Sequence, residues 1–352
     1  MAKSDRFLWA DLLKVMAGFC VVLIHSSAPL LLDYSEVGGR VWWSANLYNS
    51  FSRWCIPVFF MISGAFLLGK AHQIKMGAFF KRRTERVFVP FLIWSWIYFL
   101  FRVFVNNEDL RFTYFPQLII QEPVYYHLWF FYVLIMLYIL APVISAYVNK
   151  AESVNVGYFL FFWFFFASIL PMLESYYDFT SLFSLTTVDG TVYYVGYFVL
   201  GYMINKVELG KGGVLLFVIL FLYALFLTVY GTYDVSVVQN NGKLNQLFYE
   251  YYSFNVFIMA VSVFFIVKNV KIRSTSVAGK IITILASCIP AIFLIHAMFI
   301  ALFKRSMLGF HFSETTFHPV IGVPLFALGV FGASFLVAII IKLIPGLRRI
   351  VP

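Results

Sequence analysis

Charged residues are scarce in this chain: they make up 12% of its 352 residues, whereas hydrophobic residues make up 62%. A water-soluble domain needs a larger charged surface, so this composition excludes an ordinary soluble fold. The apolar runs reach the roughly 20 residues that a helix needs to cross a hydrocarbon core of about 30 Å. The scarcity of charge therefore predicts an integral membrane protein surrounded by the lipid bilayer.

Cysteine is rare as well, and the common nucleotide and metal motifs are missing. The three cysteines, Cys20, Cys55 and Cys288, each lie inside an apolar run without metal-ligand spacing, which indicates packing residues and not a disulfide framework. The chain contains no GxxxxGKS/T, GxGxxG or HExxH motif and no repeat of fixed period. We therefore expect no metal site and no bound cofactor.

The formal net charge of +10 raises the question of nucleic acid binding. However, the basic residues lie in short loops between apolar runs, so membrane topology explains them better and no nucleic acid partner is expected. The first apolar run is longer than the core of a signal peptide and lacks a cleavage site, so we keep it as a membrane helix. We predict an all-α bundle of about ten transmembrane helices at residues 7–32, 43–68, 87–105, 127–147, 155–172, 191–205, 213–230, 252–267, 282–302 and 320–344.

The distribution of lysine and arginine predicts the orientation of this bundle. Most of the 26 basic residues follow the even-numbered helices or lie near the chain ends. Because basic loops remain on the cytoplasmic side, both termini are predicted to be cytoplasmic.

The first predicted helix carries Lys14 and His25 within its apolar run. They are eleven positions apart, which at 100° per residue places both on one face, roughly 16 Å apart along the axis. Ionisable side chains in a span are costly and normally face a bundle interior or a watered cavity. A neutral imidazole can accept a proton from a hydroxyl, so His25 is a candidate general base. The alternative is a snorkelling lysine and a histidine hydrogen-bonded to a neighbouring helix.

The second predicted helix contains Arg53, Pro57 and the pair Ser63-Gly64. Proline, serine and glycine are predicted to break this otherwise continuous helix, although close packing against a neighbouring helix also explains such small residues.

A basic cluster, Arg82, Arg83 and Arg86, precedes the third predicted helix. The spacings i,i+3 and i,i+4 bring these side chains to one helical face, and guanidinium groups suit bidentate phosphate binding. The alternative is a cluster that only sets topology at the inner membrane edge.

Two further histidines, His127 and His296, are candidate site residues. His127 stands with Trp129 where the fourth helix opens, and His296 lies in the outer half of the ninth helix. A purely interfacial position is the alternative for His127.

Taken in order, these segments resemble the acyltransferase-3 family of membrane acyltransferases, and the resemblance covers nearly the whole chain. Many members carry arginine where this chain has Lys14, and lysine lacks the planar fork needed for a bidentate contact. The resemblance implies one acyltransferase-type transmembrane domain at 1–352, a stand-alone form without an appended soluble domain. The motifs are Lys14 and His25 separated by ten residues, Pro-Val-Phe-Phe-Met-Ile-Ser-Gly at 57–64, Arg83-x-x-Arg86, His-Leu-Trp-Phe at 127–130 and Leu-Ile-His at 294–296.

The resemblance also implies an activity, an O-acetyltransferase of the bacterial inner membrane. It would move an acetyl group from cytoplasmic acetyl-CoA, its co-substrate, to a hydroxyl of a surface polysaccharide or its lipid-linked precursor, with His25 as general base. The residues expected to bind the donor are Lys14, Arg82, Arg83 and Arg86. The residues expected to bind the acceptor or orient the oxyanion are Arg53, Ser63, His127, Trp129 and His296. A direct transfer and an acetyl-histidine intermediate both fit these residues.

Two other classes of function remain open at this point. A transporter or flippase for an acyl donor or a lipid-linked sugar would also place polar residues inside spans, although no inverted repeat is evident. A membrane scaffold for glycan assembly would leave the face shared by Lys14 and His25 unexplained.

Overall fold

Backbone hydrogen bonding dictates the secondary structure of so apolar a chain, because hydrocarbon offers no partner for an exposed N–H or C=O group. The computed structural model describes residues 7–32, 38–181, 190–240 and 243–351, and within these ranges it contains helices and no β-strand. The predicted all-α class is therefore confirmed. The α-helices are α1 (Leu8–Leu31), α2 (Arg40–Ser52), α3 (Cys55–Leu67), α4 (Met76–Arg83), α5 (Val89–Phe104), α6 (Phe115–Gln121), α7 (Trp129–Lys150), α8 (Ser153–Phe164), α9 (Leu170–Tyr177), α10 (Thr191–Ile204), α11 (Lys211–Tyr233), α12 (Phe254–Lys268), α13 (Val277–Lys304) and α14 (Pro319–Leu343).

Short segments of other helical types join several of these helices. The π-helical turn Thr84–Phe88 connects α4 to α5, and a second one, Phe165–Ile169, connects α8 to α9. The 3₁₀ segments Tyr126–Leu128 and Leu247–Tyr249 precede α7 and α12. Because these joints keep the chain helical, α4 with α5 and α8 with α9 each form one long apolar stretch.

Nine helical stretches in the described residues are long and apolar enough to cross a membrane, so the chain is a multi-pass membrane protein. About ten were predicted, and the sixth of them corresponds to α10, which has only 14 residues. Such a helix is about 21 Å long, shorter than the hydrocarbon core of about 30 Å. The nine stretches are 8–31, 40–67, 76–104, 126–150, 153–177, 211–238, 247–268, 277–304 and 319–343.

The second predicted helix is in fact two helices. α2 ends at Ser52 and α3 begins at Cys55, so the break falls at Arg53 and Trp54 and not at Pro57 or Ser63-Gly64. Pro57 explains this position, because it cannot donate a hydrogen bond to the Arg53 carbonyl four residues earlier and its ring crowds that carbonyl. The break places Arg53 at the end of α2, where its side chain projects from a helix terminus.

α1 is the central helix of the bundle, since it packs against α2, α3, α12, α13 and α14. Gly18 allows α13 to come close: a Cβ atom at this position would lie 2.8 Å from Cδ1 of Ile289. The ionisable residues of α1 are thereby enclosed by protein on most sides, as the cost of exposing them to lipid requires.

α3 and α10 cross with their backbones in close approach, and glycine makes this possible. A Cβ atom on Gly64 would lie 1.7 Å from the Phe198 carbonyl oxygen, and one on Gly201 would lie 2.0 Å from the Met61 carbonyl oxygen. Small residues serve this purpose in membrane helix pairs. The packing interpretation of Gly64 is therefore the correct one.

We expect Gly64→Ala to lower the free energy of unfolding by about 1–3 kcal/mol or more, because the new methyl group has to push α10 away. Thermal unfolding of the purified protein in detergent measures the effect. Gly157→Ala in α8 is the matched control, since no heavy atom lies within 4 Å of its added Cβ. Equal melting temperatures for the two variants would contradict the close crossing.

Candidate active site

Three histidine side chains from separate parts of the sequence converge in the bundle. His25 comes from α1, His127 from the 3₁₀ segment before α7, and His296 from α13. The ring centroids of His25 and His296 are 5.3 Å apart, with the rings nearly parallel at 27°. Those of His127 and His296 are 5.1 Å apart, with the rings edge to face at 73°. His296 therefore lies between the other two rings.

The three rings differ in access. His127 and His296 are 1% and 0% exposed, whereas His25 is half-buried. His296 donates from Nδ1 to the Phe293 carbonyl oxygen at 2.7 Å, which leaves Nε2 of the neutral ring as an acceptor. Within the described residues this Nε2 and both nitrogens of His127 lack a hydrogen-bond partner. His25 is thus the one accessible ring of the cluster, backed by buried imidazoles with unused hydrogen-bonding capacity.

The end of α1 beyond His25 is held by side-chain hydrogen bonds. Pro29 cannot donate to the His25 carbonyl four residues earlier, which weakens the helix at this point. Asn49 of α2 donates from Nδ2 to the Ile24 carbonyl oxygen at 3.3 Å and to Oγ of Ser27 at 3.1 Å. α2 therefore fixes the backbone that carries His25.

Aromatic side chains lie near His25. The Tyr126 ring lies 4.8 Å from that of His25, and Trp129 stacks on Tyr251 at 5.7 Å and 25°. Trp129 and Tyr251 border, with His25, a cavity of about 20 Å³, which we name the histidine cavity. This volume corresponds to about one water-sized group. Its lining residues are Val21, Ile24, His25, Ile56, His127, Trp129, Tyr251 and Phe293.

Arg53 stands beside this cavity, held by aromatic rings. Its guanidinium carbon lies 4.2 Å from the centroid of Tyr249 and 5.8 Å from that of Tyr251. Tyr249 is itself anchored, since its hydroxyl donates to Oδ1 of Asn46 at 2.5 Å. Nε of Arg53 is buried without a partner, and no ion pair of the described chain includes this arginine. A cation with an unused Nε donor therefore contacts Tyr251, one of the rings that line the histidine cavity.

A larger cavity of about 260 Å³, the middle cavity, lies next to the histidine cavity. Lys14 lines it, paired with Asp11 at 3.0 Å one turn earlier on α1, and Ser63 lines it from α3. Apart from these groups and Tyr138 its wall is apolar. The remaining lining residues are Phe59, Ile62, Val87, Phe130, Phe131, Leu134, Ile289, Pro290 and Phe293.

A third cavity of about 260 Å³, the arginine cavity, shares Val87 and Tyr138 with the middle cavity. Arg83 lines it, with its guanidinium carbon 4.8 Å from the Tyr138 ring and its Nε buried without a partner among the described residues. Arg82 and Arg86 are exposed. The π-helical turn Thr84–Phe88 follows Arg83 and changes the phase of the helix, so the three arginines have different surroundings.

The three cavities follow one another along the helices. On α1, Lys14 borders the middle cavity and His25 the histidine cavity eleven residues later. The segment 127–139 runs in the opposite sense, from His127 through Phe131 to Ile139 in the arginine cavity. The three cavities therefore form a column, with Arg83 at one end, Lys14 in the middle and His25 at the other end.

The structure thus brings together four residues singled out from sequence: His25, His127, Trp129 and His296. Arg53 joins them through Tyr251, whereas Ser63 lies with Lys14 in the middle cavity and not beside the histidines. Of the basic cluster, Arg83 lines one of the three cavities described above, and Arg82 and Arg86 line none of the three.

Sequence reasoning missed several residues of the site. Asp11 could have been predicted from its i,i+3 spacing to Lys14. Tyr126 could have been predicted because it directly precedes the candidate His127. Tyr249 and Tyr251 carried no signal, because their position beside Arg53 arises from the packing of distant segments. Within the described residues no group of histidine, cysteine, aspartate or glutamate side chains has a metal-binding arrangement.

Comparison with known protein families identifies the chain. A family model described as an acyltransferase domain, that of the acyltransferase-3 family, matches residues 7–343. The chain therefore belongs to the acyltransferase-3 family, and it is a membrane acyltransferase. No curated protein and no solved structure gave a significant match.

The differences in burial predict an order of chemical labelling by diethylpyrocarbonate, which acylates accessible neutral imidazoles. We expect the exposed His311 and His318 to react first, half-buried His25 next, and His127 and His296 last. Mass spectrometry of digested protein over a time course measures the rates. Labelling of His127 or His296 as fast as that of His311 would contradict the arrangement of the site.

Proposed function

We propose that this acyltransferase moves an acetyl group from acetyl-CoA to a hydroxyl of a surface polysaccharide or its lipid-linked precursor in the bacterial inner membrane. The observation that carries the proposal is the column of cavities. It has a half-buried histidine at one end and, at the other, an arginine whose Nε has no partner among the described residues. A thioester donor with phosphates at one end and a reactive acyl group at the other matches this polarity.

The donor enters at the arginine cavity, which the positive-inside argument places on the cytoplasmic side. Its phosphates are bound by Arg83, with Arg82 and Arg86 adding positive charge at the entrance. The apolar middle cavity accommodates the pantetheine arm, and Lys14 offers a donor group to one of its carbonyl oxygens. Asp11, paired with Lys14 at 3.0 Å, offsets the charge of this ammonium group.

His25 is the general base at the far end of the column. In a direct transfer, an acceptor oxygen attacks the thioester carbonyl carbon while His25 takes the hydroxyl proton. The carbon–sulfur bond then breaks, and the proton passes from His25 to the departing thiolate. An acetyl-histidine intermediate, in which His25 first takes the acetyl group, fits the same residues.

The acceptor approaches from the aromatic side of the histidine cavity. Trp129, stacked on Tyr251, offers a face for a sugar ring, and Arg53 offers its unpartnered Nε donor to an acceptor oxygen or the developing oxyanion. His127 and His296 position His25, and Ser63 contacts the donor thioester from the middle cavity. Residues 52–64 and 123–131 resemble the corresponding segments of the enterobacterial common antigen O-acetyltransferase, which favours a glycan acceptor.

We expect His25→Ala to lower acetyl transfer by about 10²–10⁴-fold while acetyl-CoA binding is retained, because a general base contributes on this scale. Thioester loss from acetyl-CoA and product formation on a membrane glycan fraction measure transfer, and calorimetry measures binding. His318→Ala, a change at an exposed histidine, is the control. Transfer that survives in the His25 variant would remove His25 from the mechanism. If the wild-type protein neither binds nor consumes acetyl-CoA, a transporter function would be favoured instead.

We expect Arg83→Ala to weaken acetyl-CoA binding roughly tenfold and Arg82→Ala to weaken it less. The reason is that a charge-assisted hydrogen bond requires a donor that points toward the phosphate. The two variants remove the same side chain at neighbouring positions, one lining the arginine cavity and one exposed. Calorimetric titration of both variants with acetyl-CoA gives the comparison. Equal losses would mean that the cluster acts through its overall charge and not through the cavity.

A further inference from the structure

The side chain of Phe293 stands between the middle cavity and the histidine cavity. It is the one described residue that lines both. On its donor side the space is about 260 Å³, and on its histidine side about 20 Å³. The column therefore narrows abruptly at this ring, directly before His25, the proposed general base.

The ring of Phe293 is held firmly in this position. Its centroid lies 5.0 Å from that of Phe130, 5.9 Å from that of Phe131 and 5.8 Å from that of His127. The residue is 8% exposed. Side chains packed at this density have few alternative rotamers, so the ring acts as a stiff partition.

The backbone of Phe293 has a separate role, because its carbonyl oxygen accepts the hydrogen bond from Nδ1 of His296 at 2.7 Å. A substitution of the side chain leaves this carbonyl in place. The effect of the ring can therefore be measured without removing the hydrogen bond that orients His296.

We propose that Phe293 is a specificity-determining residue that limits the length of the transferred acyl group, an inference that rests on the proposed function. The small space beside His25 suits the methyl of an acetyl group, which is about the size of one water molecule. Each further methylene of a longer acyl chain has to occupy the volume that the Phe293 ring fills. One methylene in a tight pocket changes selectivity by about tenfold or more, so wild-type protein discriminates strongly against propionyl and butyryl groups.

The experiment compares acetyl-, propionyl- and butyryl-CoA with purified wild-type protein, Phe293→Leu and Phe293→Ala. Release of free CoA thiol in the presence of the glycan fraction gives the rates, and calorimetry gives the affinities. If Phe293→Ala does not fold, Phe293→Leu still provides the test. Phe60→Leu is the matched control, since Phe60 is fully buried and stacks on Phe130 at 4.8 Å but lines none of the three cavities.

The expected result is a ratio of butyryl to acetyl transfer that rises roughly tenfold in the Phe293 variants and keeps its wild-type value in Phe60→Leu. An unchanged ratio in folded Phe293 variants, with acetyl transfer intact in the wild type, overturns the inference alone. An equal rise in Phe60→Leu also overturns it, because general loosening of the core would then be the cause. If wild-type protein neither binds nor consumes any acyl-CoA, the proposed function fails and the inference falls with it.

Discussion

An ionisable side chain in hydrocarbon carries a large free-energy penalty, and this constraint organises the bundle around α1. Lys14 and His25 lie on one helix that five others enclose, so each meets a protein cavity in place of lipid. The ion pair of Lys14 with Asp11 and the stacking of His25 on His296 are two ways of meeting the same requirement.

Five buried side-chain atoms without a hydrogen-bond partner among the described residues lie at or beside the two ends of the column: Nε2 of His296, both nitrogens of His127, and Nε of Arg53 and of Arg83. Eleven further atoms of this kind belong to residues that line none of the three cavities. A buried polar atom without a partner is costly, and a ligand in the column would supply the partner that these five atoms lack. The positions of these atoms agree with the proposed acyl-CoA donor, whose phosphates would bind at the arginine end and whose thioester would react at the histidine end.

Helix breaks place several of the site residues. Pro57 ends α2 at Arg53, Pro29 weakens α1 after His25, and the π-helical turn after Arg83 separates it from Arg86. At Arg53 and Arg83 the local departure from the regular α-helix redirects a polar side chain, whereas His25 stays within the regular helix α1. In a membrane such irregular backbone is tolerated only where protein or a cavity covers it.

The sequence by itself determined the all-α membrane class, most helix positions and the shared face of Lys14 and His25, because apolar length and helical periodicity are local properties. It also predicted the family, through short motifs in a fixed order. Only the tertiary structure decided that His127 and His296 meet His25, that Tyr249 and Tyr251 hold Arg53, and that Phe293 separates two cavities. These contacts join residues far apart in the chain, and they depend on how the helices pack, which no local pattern encodes.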